Sequence, residues 1–323
     1  MSQALRRAVP LAQLILATLC WGGVFSTGKL LAPHLPPFTV TFARYGGAAL
    51  LLLPLAAGEF RTLRRQDLPM LILVGLFSST LFNACLFAGL RFAPAGDAVL
   101  APAATPILLA LIATVFMGVR HGRAKLAALG VSGAGLVMLF LASAGDRSGA
   151  SRLVGDGMIL LAAAFWSCYL LFSARFAGRY SPRMLTAVTA LAGAVSSLPF
   201  AAWEGGFTKF ATLPPVGWGV VGYLSLLGTV VAFLLWSEGL QRVGAAKAAH
   251  FMNLVPVWIL LGAVGLLHER LGPLQWAGMA ALLAGLWGAS LAEGKAKPAR
   301  REEPAPEPFA AEPPRAELSG SAR

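Results

Sequence analysis

Gly89-Leu90-Arg91-Phe92-Ala93-Pro94-Ala95 is answered 150 residues later by Gly239-Leu240-Gln241-Arg242-Val243-Gly244-Ala245, and the agreement continues from Ala98 to Ala248 and from Pro106 to Pro256. The same offset pairs Leu76 with Leu226, Arg120 with Arg270 and Gly135-Leu136 with Gly285-Leu286. Upstream the offset is 145: Trp21 pairs with Trp166, Pro37 with Pro182, Thr41 with Thr186 and Pro54 with Pro199. The change of register places a five-residue insertion in the loop around 204–215. Alanine and glycine matches are cheap in so apolar a chain; paired tryptophans and prolines at constant offset are not. Self-similarity of this kind marks two copies of one structural unit.

The unit belongs in lipid. Of 323 residues, 57% are hydrophobic and only 12% charged, against about 25% charged in a soluble domain. Segments of about 20 apolar residues, the length that spans a bilayer core of about 30 Å, recur ten times: 9–32, 38–57, 68–90, 97–117, 124–142, 155–174, 184–203, 215–237, 246–267 and 273–292. Breaker residues such as Pro33, Pro36, Pro37 and Pro214-Pro215 separate them. Such runs are too long for barrel strands, and lipid demands that backbone polar groups be satisfied internally, so the fold class is an all-α membrane protein of ten transmembrane helices. Arg6 and Arg7 before an apolar run resemble a secretory signal, but the run from Val9 to about Ala32 exceeds an h-region and is read as a retained first helix.

Five helices per copy is an odd number, so the second copy must enter the membrane from the opposite side. The residues divide into a first repeat over 1–148, a second over 149–292 and a Pro-rich 293–323 segment too poor in apolar surface to order itself. Seventeen Lys and Arg residues fall in loops and termini on one side and six on the other. The positive-inside rule therefore predicts a multi-pass protein of the inner (cytoplasmic) membrane with both termini cytoplasmic. The same distribution explains the net charge of +12 without a nucleic-acid partner. Inverted repeats are a transporter device, in which substrate binds near the midplane where the copies meet.

Several motifs resemble a known family. Trp21-Gly22-Gly23-Val24-Phe25 with Lys29-Leu30, Leu35-Pro36-Pro37 with Arg44-Tyr45, and Gly239-Leu240 with Val243-Gly244-Ala245-Ala246 and Pro256 are similar to the EamA branch of the drug/metabolite transporter superfamily. His268-Glu269-Arg270, followed by Trp276, Gly278 and Gly285, resembles the Gly-Glu-Arg segment that ends each EamA repeat. The first repeat departs from it with Gly118-Val119-Arg120, and His268 replaces the glycine in the second. The resemblance covers about 9–292 and implies ten helices, export of amino acids or other small metabolites, and a central cavity lined by helices 1, 3, 4, 6, 8 and 9.

Candidate pathway residues are the polar and aromatic groups inside apolar spans. Arg44 lies about two turns into the second span, where a charge costs at least about 2.5–3.5 kcal/mol. It is either a gate or carboxylate anchor, or a side chain that snorkels or binds backbone carbonyls. Lys29 is read as snorkelling. Asn83, His250 and Asn253 contact either substrate or a neighbouring helix, and the last two share a helical face at three-residue spacing. Trp21 and Trp166, deep and repeat-equivalent, are expected to line the cavity with Tyr169, whereas Trp236 suits an interfacial belt. Pro106 and Pro256 are paired helix kinks near the expected centre. A stripe of Ala277, Ala281, Gly285 and Ala289 suits close packing within the chain or in a homodimer.

No metal or cofactor is expected: Cys20, Cys85 and Cys168 lie apart without Cys-x-x-Cys spacing and read as small hydrophobes. The acids, Asp97 and Asp156 included, fall at or beyond the ends of the spans, so proton coupling stays open. Neither His-Glu-x-x-His nor Gly-x-Ser-x-Gly is present, which argues against an intramembrane enzyme. A non-transporting scaffold or sensor subunit is the other alternative.

Overall fold

The computed structural model describes residues 3–119, 121–144, 149–176 and 178–295. Arg120, matched above to Arg270, and nearly all of the 293–323 segment lie outside them. Ten helical spans cross the molecule. They are α1 (Gln3–Leu31), α2 (Pro37–Ala56), α3 (Leu68–Gly75, a π-helical stretch Leu76–Leu81, then Phe82–Phe92), α4 (a 3₁₀ turn Ala95–Val99, then Leu100–Met117) and α5 (Arg123–Ala144). The second repeat supplies α6 (Gly149–Ser173), α7 (Pro182–Trp203), α8 (Pro215–Gly222, a π-helical stretch Tyr223–Val231, then Ala232–Val243), α9 (Ala245–Met252 and Val255–Gly265) and α10 (Pro273–Lys295). Among the described residues, nine helices are long and apolar enough to cross a membrane, and the remaining one, over 250–265, is shorter. That helix is α9, which breaks at Asn253-Leu254. Pro256 sits in the first turn of its second half, where the missing N–H costs nothing.

The repeats agree in detail. Pro37 and Pro182 both occupy the first turn of their helices, Pro54 and Pro199 both lie inside them, and Thr41 and Thr186 both donate to the carbonyl four residues back at 2.8 Å. Both third helices carry a π-helical stretch at the same repeat position. Gly118 (φ 66°) and His268 (φ 52°) are both left-handed, and Val119 and Glu269 donate their N–H groups to Ala113 and Ala263 in matching caps. His268 thus occupies the conformation for which the resembling motif uses glycine.

The two copies do not sit side by side; they exchange their first helices. Helix α1 packs on α8 and α9, and α6 packs on α3 and α4. The opening Gly-Leu pairs explain how. A Cβ on Gly89 would meet the carbonyl of Gly155 on α6 at 2.7 Å, and one on Gly239 would meet Leu14 at 2.8 Å and the Pro10 carbonyl at 3.1 Å on α1. Each glycine lets the third helix of one repeat cross the first helix of the other at close range. Helix α2 lies along α7 and α5 along α10, so each of these helices packs against its own repeat counterpart.

Three sequence expectations shift. Helix α6 begins at Gly149 rather than 155, which carries Asp156 about two turns inside it with no exposed surface. Trp236 turns inward against Trp21, ring centroids 5.3 Å apart, instead of standing in an interfacial belt. On α10 the face against α5 is Gly278, Leu282 and Gly285, and Ala277 is exposed. The stripe is displaced by one residue at its beginning because a strict four-residue spacing drifts around a helix of 3.6 residues per turn.

Candidate functional site

The polar core of the bundle is built where the two π-helical stretches face Arg44. A π-turn lengthens the backbone bond by one residue and leaves carbonyls for other donors. Arg44 is 4% exposed and does not snorkel. Its Nε donates to Thr229 Oγ1 at 3.0 Å, one η nitrogen to Asn83 Oδ1 at 2.8 Å, and the other to the Gly228 carbonyl at 3.1 Å. Asn83 in turn donates to the Tyr45 hydroxyl at 2.9 Å and to the carbonyls of Ser78 and Ser79 at 3.0 and 3.1 Å. The Arg44 guanidinium also lies 5.2 Å from the Tyr45 ring centre. Arg44 is thereby tied to both repeats, through α3 of its own and α8 of the other.

Two chambers flank this network. The first, about 70 Å³, is lined by Trp21, Phe25, Arg44, Phe82, Thr105 and Val255 among others. The second, about 50 Å³, is richer in hydroxyls, with Ser78, Ser79, Tyr169, Ser173, Thr186 and Thr189 in its wall. Tyr45, Trp166 and Phe233 border both. The chambers are partly repeat images: Trp21, Val24 and Arg44 of the first correspond to Trp166, Tyr169 and Thr189 of the second. The substitution of Thr189 for a second arginine makes one chamber cationic and the other neutral. Edge-on and tilted rings close the walls, Trp21 against Phe233 at 5.1 Å and Trp166 against Phe82 at 5.0 Å and Tyr169 at 4.6 Å.

Sequence candidates distribute unevenly over this site. Trp21, Arg44, Trp166 and Tyr169 line the chambers, and Asn83 stands behind Arg44 as its support. His250 and Asn253 border neither of the two chambers; α9 breaks at Asn253, so the expected shared face does not extend that far. Asn253 donates to Ser290 Oγ on α10 at 3.0 Å, and Met252 and Val255 take the chamber positions. Pro106 lies inside α4, and Pro256 restarts α9 beyond the break. Tyr45, Thr229 and Phe233 join the site without having been sequence candidates for it, although the Ser78-Ser79-Thr80 run within an apolar span signals the polar seam.

Charged and polar contacts gather at the two ends of the bundle. At the end opposite the N-terminus, Lys29 Nζ donates to the Leu90 and Ala93 carbonyls at 2.5 and 2.7 Å, capping α3 as a cation should. Glu269 accepts from the N–H groups of Ala95 and Gly96 at 2.7 and 2.8 Å. Arg152 forms a buried two-point pair with Asp97 at 2.6 and 2.8 Å. Glu204 accepts from the Phe38 and Thr39 N–H groups that open α2. Its repeat equivalent Glu59, at the other end, accepts from Ser181, which caps α7. Glu269 has no such counterpart, because Val119 stands in its place and the start of α9 carries no side-chain cap. Losing one partner of a buried ion pair costs about 3–5 kcal/mol. Asp97→Leu is accordingly expected to lower the melting temperature of the detergent-solubilised protein sharply, and Arg152→Leu added to it to recover part of the loss. An unchanged melting temperature in Asp97→Leu would show the pair to be dispensable.

Among the described residues no group of three or more His, Cys, Asp or Glu side chains is placed to hold a metal. The family profile described as the EamA-like transporter family matches residues 9–141 and 153–291, one match per repeat. An uncharacterized transporter of Bacillus subtilis, YyaM, is 26% identical over 76% of this chain and 82% of its own length. A probable terminal-alkyne amino-acid exporter of Streptantibioticus cattleyicolor is 29% identical over 84% and 90%. The uncharacterized inner membrane transporter YedA of Escherichia coli K12 is 26% identical over 86% and 90%. A solved crystal structure, 21% identical, superposes with a TM-score of 0.58 over 87% of this chain and 97% of that one, a likeness of fold.

Proposed function

The chain belongs to the EamA-like transporter family, and from that membership we propose that it is a secondary transporter that exports amino acids or other small metabolites by alternating access at the repeat seam. The observation that carries this reading is the pair of chambers related by the repeat and separated by Tyr45, Trp166 and Phe233. A solute held beside this aromatic partition reaches one end or the other according to how the halves rock. The termini are cytoplasmic on the Lys and Arg bias of the loops, which makes the Glu269 end periplasmic and the Arg44 chamber the outer of the two. Trp21, Arg44, Trp166 and Tyr169 form the pathway in this proposal, with Asn83 fixing Arg44. The exporter among the relatives supports the outward direction.

Overexpression is expected to raise resistance to, and efflux of, at least one solute in a panel of amino acids, purines and cationic drugs. No change for any solute, with membrane insertion confirmed, would remove the transport reading.

A further inference from the structure

Resting on that reading, we infer that the transported solute carries a carboxylate on an apolar body, and that Arg44 receives the carboxylate in the outer chamber. Three observations converge on this. Arg44 is almost fully buried, and each side chain or carbonyl bonded to it is neutral: Thr229, Asn83 and Gly228. A buried cation held only by dipoles has its charge solvated but not neutralised, which favours an anion and repels a second cation. The three bonds also use three of five guanidinium donors and leave two N–H groups, one on each η nitrogen, for the oxygens of a carboxylate.

The remaining wall defines the body of the solute. Trp21, Phe25, Phe82, Trp166 and Phe233 present rings, and Met252 and Val255 present aliphatic surface. Among the described residues, Arg44 is the one charged side chain bordering the chamber. None of them places a carboxylate there to receive an ammonium group, so an amine on the solute finds aromatic faces in its place. The repeat-related chamber, with Thr189 in the equivalent place, has no such anchor. A carboxylate therefore binds on one side of the partition, which gives the two access states unequal affinities for it. With about 70 Å³ available the chamber holds only a few waters, so a solute enters as the repeats separate.

The full-length protein in lipid nanodiscs is titrated with matched acid, amide and amine forms of three bodies: 3-phenylpropionate, indole-3-propionate and 4-methylpentanoate. Binding is followed by thermal shift and by quenching of the chamber tryptophans. At least one acid is expected to bind tenfold or more tighter than its amide, with its amine weaker still. Arg44→Gln should abolish that preference while Arg44→Lys retains part of it. The wild-type series stands by itself if Arg44→Gln fails to fold. Acids that bind no tighter than amides or amines, or an acid preference that survives in a folded Arg44→Gln protein, would overturn the inference. Efflux of solutes without acid preference would do the same yet leave the transport reading intact. Acid binding without efflux would support Arg44 as the anchor and count against transport.

Discussion

A Gly285→Val protein is expected to yield no folded, monodisperse material, because no neighbouring atom can move to admit the side chain. A Cβ at this position would lie 2.3 Å from the Ser132 nitrogen and 2.6 Å from its Cα, both backbone of α5. The repeat-related contact is as close: a Cβ on Gly135 would meet the Gly278 carbonyl and the Leu282 nitrogen at 2.5 Å. Relief requires α5 and α10 to separate along their length. Overpacking in a core usually costs about 1–3 kcal/mol, and a clash against backbone belongs at or beyond the upper limit. In lipid the loss is harder to recover, since helix association there depends on close packing by small residues and not on expulsion of water. Fluorescence-detected size-exclusion chromatography and a melting curve provide the readout. Gly130→Ala is the control, as its added methyl meets nothing within 4 Å. Wild-type stability in Gly285→Val would refute the packing account.

The second large effect concerns the Glu269 clamp, which is at the outer end in the proposed orientation. Glu269 holds the Ala95 and Gly96 N–H groups, joining the end of α9 to the start of α4. A hydrogen bond to a charged group contributes about 1.5–3 kcal/mol. Glu269→Ala should therefore shift the access equilibrium about tenfold or more toward an open outer end. The reporter is Thr105→Cys, buried in the chamber wall, in a protein whose Cys20, Cys85 and Cys168 have been replaced. Labelling by a membrane-impermeant maleimide added outside intact cells is expected to accelerate in Glu269→Ala. Val119→Glu supplies a carboxylate at the repeat-equivalent position, able in the proposed alternate state to hold the opposite end closed, and should promote labelling too. Equal rates in all three proteins would dissociate the clamp from access.

These effects differ in how far they can be read before folding. Ten helices, two inverted copies and the charge bias were legible because each rests on local quantities: apolar length against bilayer thickness, offset between like residues, and loop charge. Arg44 was visible as a charge where lipid forbids one, and Trp21 and Trp166 as a pair. The limits appear at Asn83, His250 and Asn253. All three are polar groups in apolar spans, and nothing local distinguishes Asn83, which supports Arg44, from Asn253, which turns to Ser290. The π-helical stretches Leu76–Leu81 and Tyr223–Val231 were equally invisible. The freed Gly228 carbonyl finds Arg44 across the seam, whereas those of Ser78 and Ser79 accept from Asn83 on their own helix.

Glu269 and Val119 show the same division in one motif. Their mismatch was plain in the repeat alignment, but it read as a departure from pattern at a loop end. Its meaning depends on the N–H groups of Ala95 and Gly96, more than 170 residues away in sequence. The Gly89-Leu90 and Gly239-Leu240 pairs are a further case. By itself the sequence determined that they repeat, because identity and offset need no third dimension. Only the tertiary structure decided why: each glycine faces the first helix of the opposite repeat, where a single Cβ would block the crossing that interlocks the two halves.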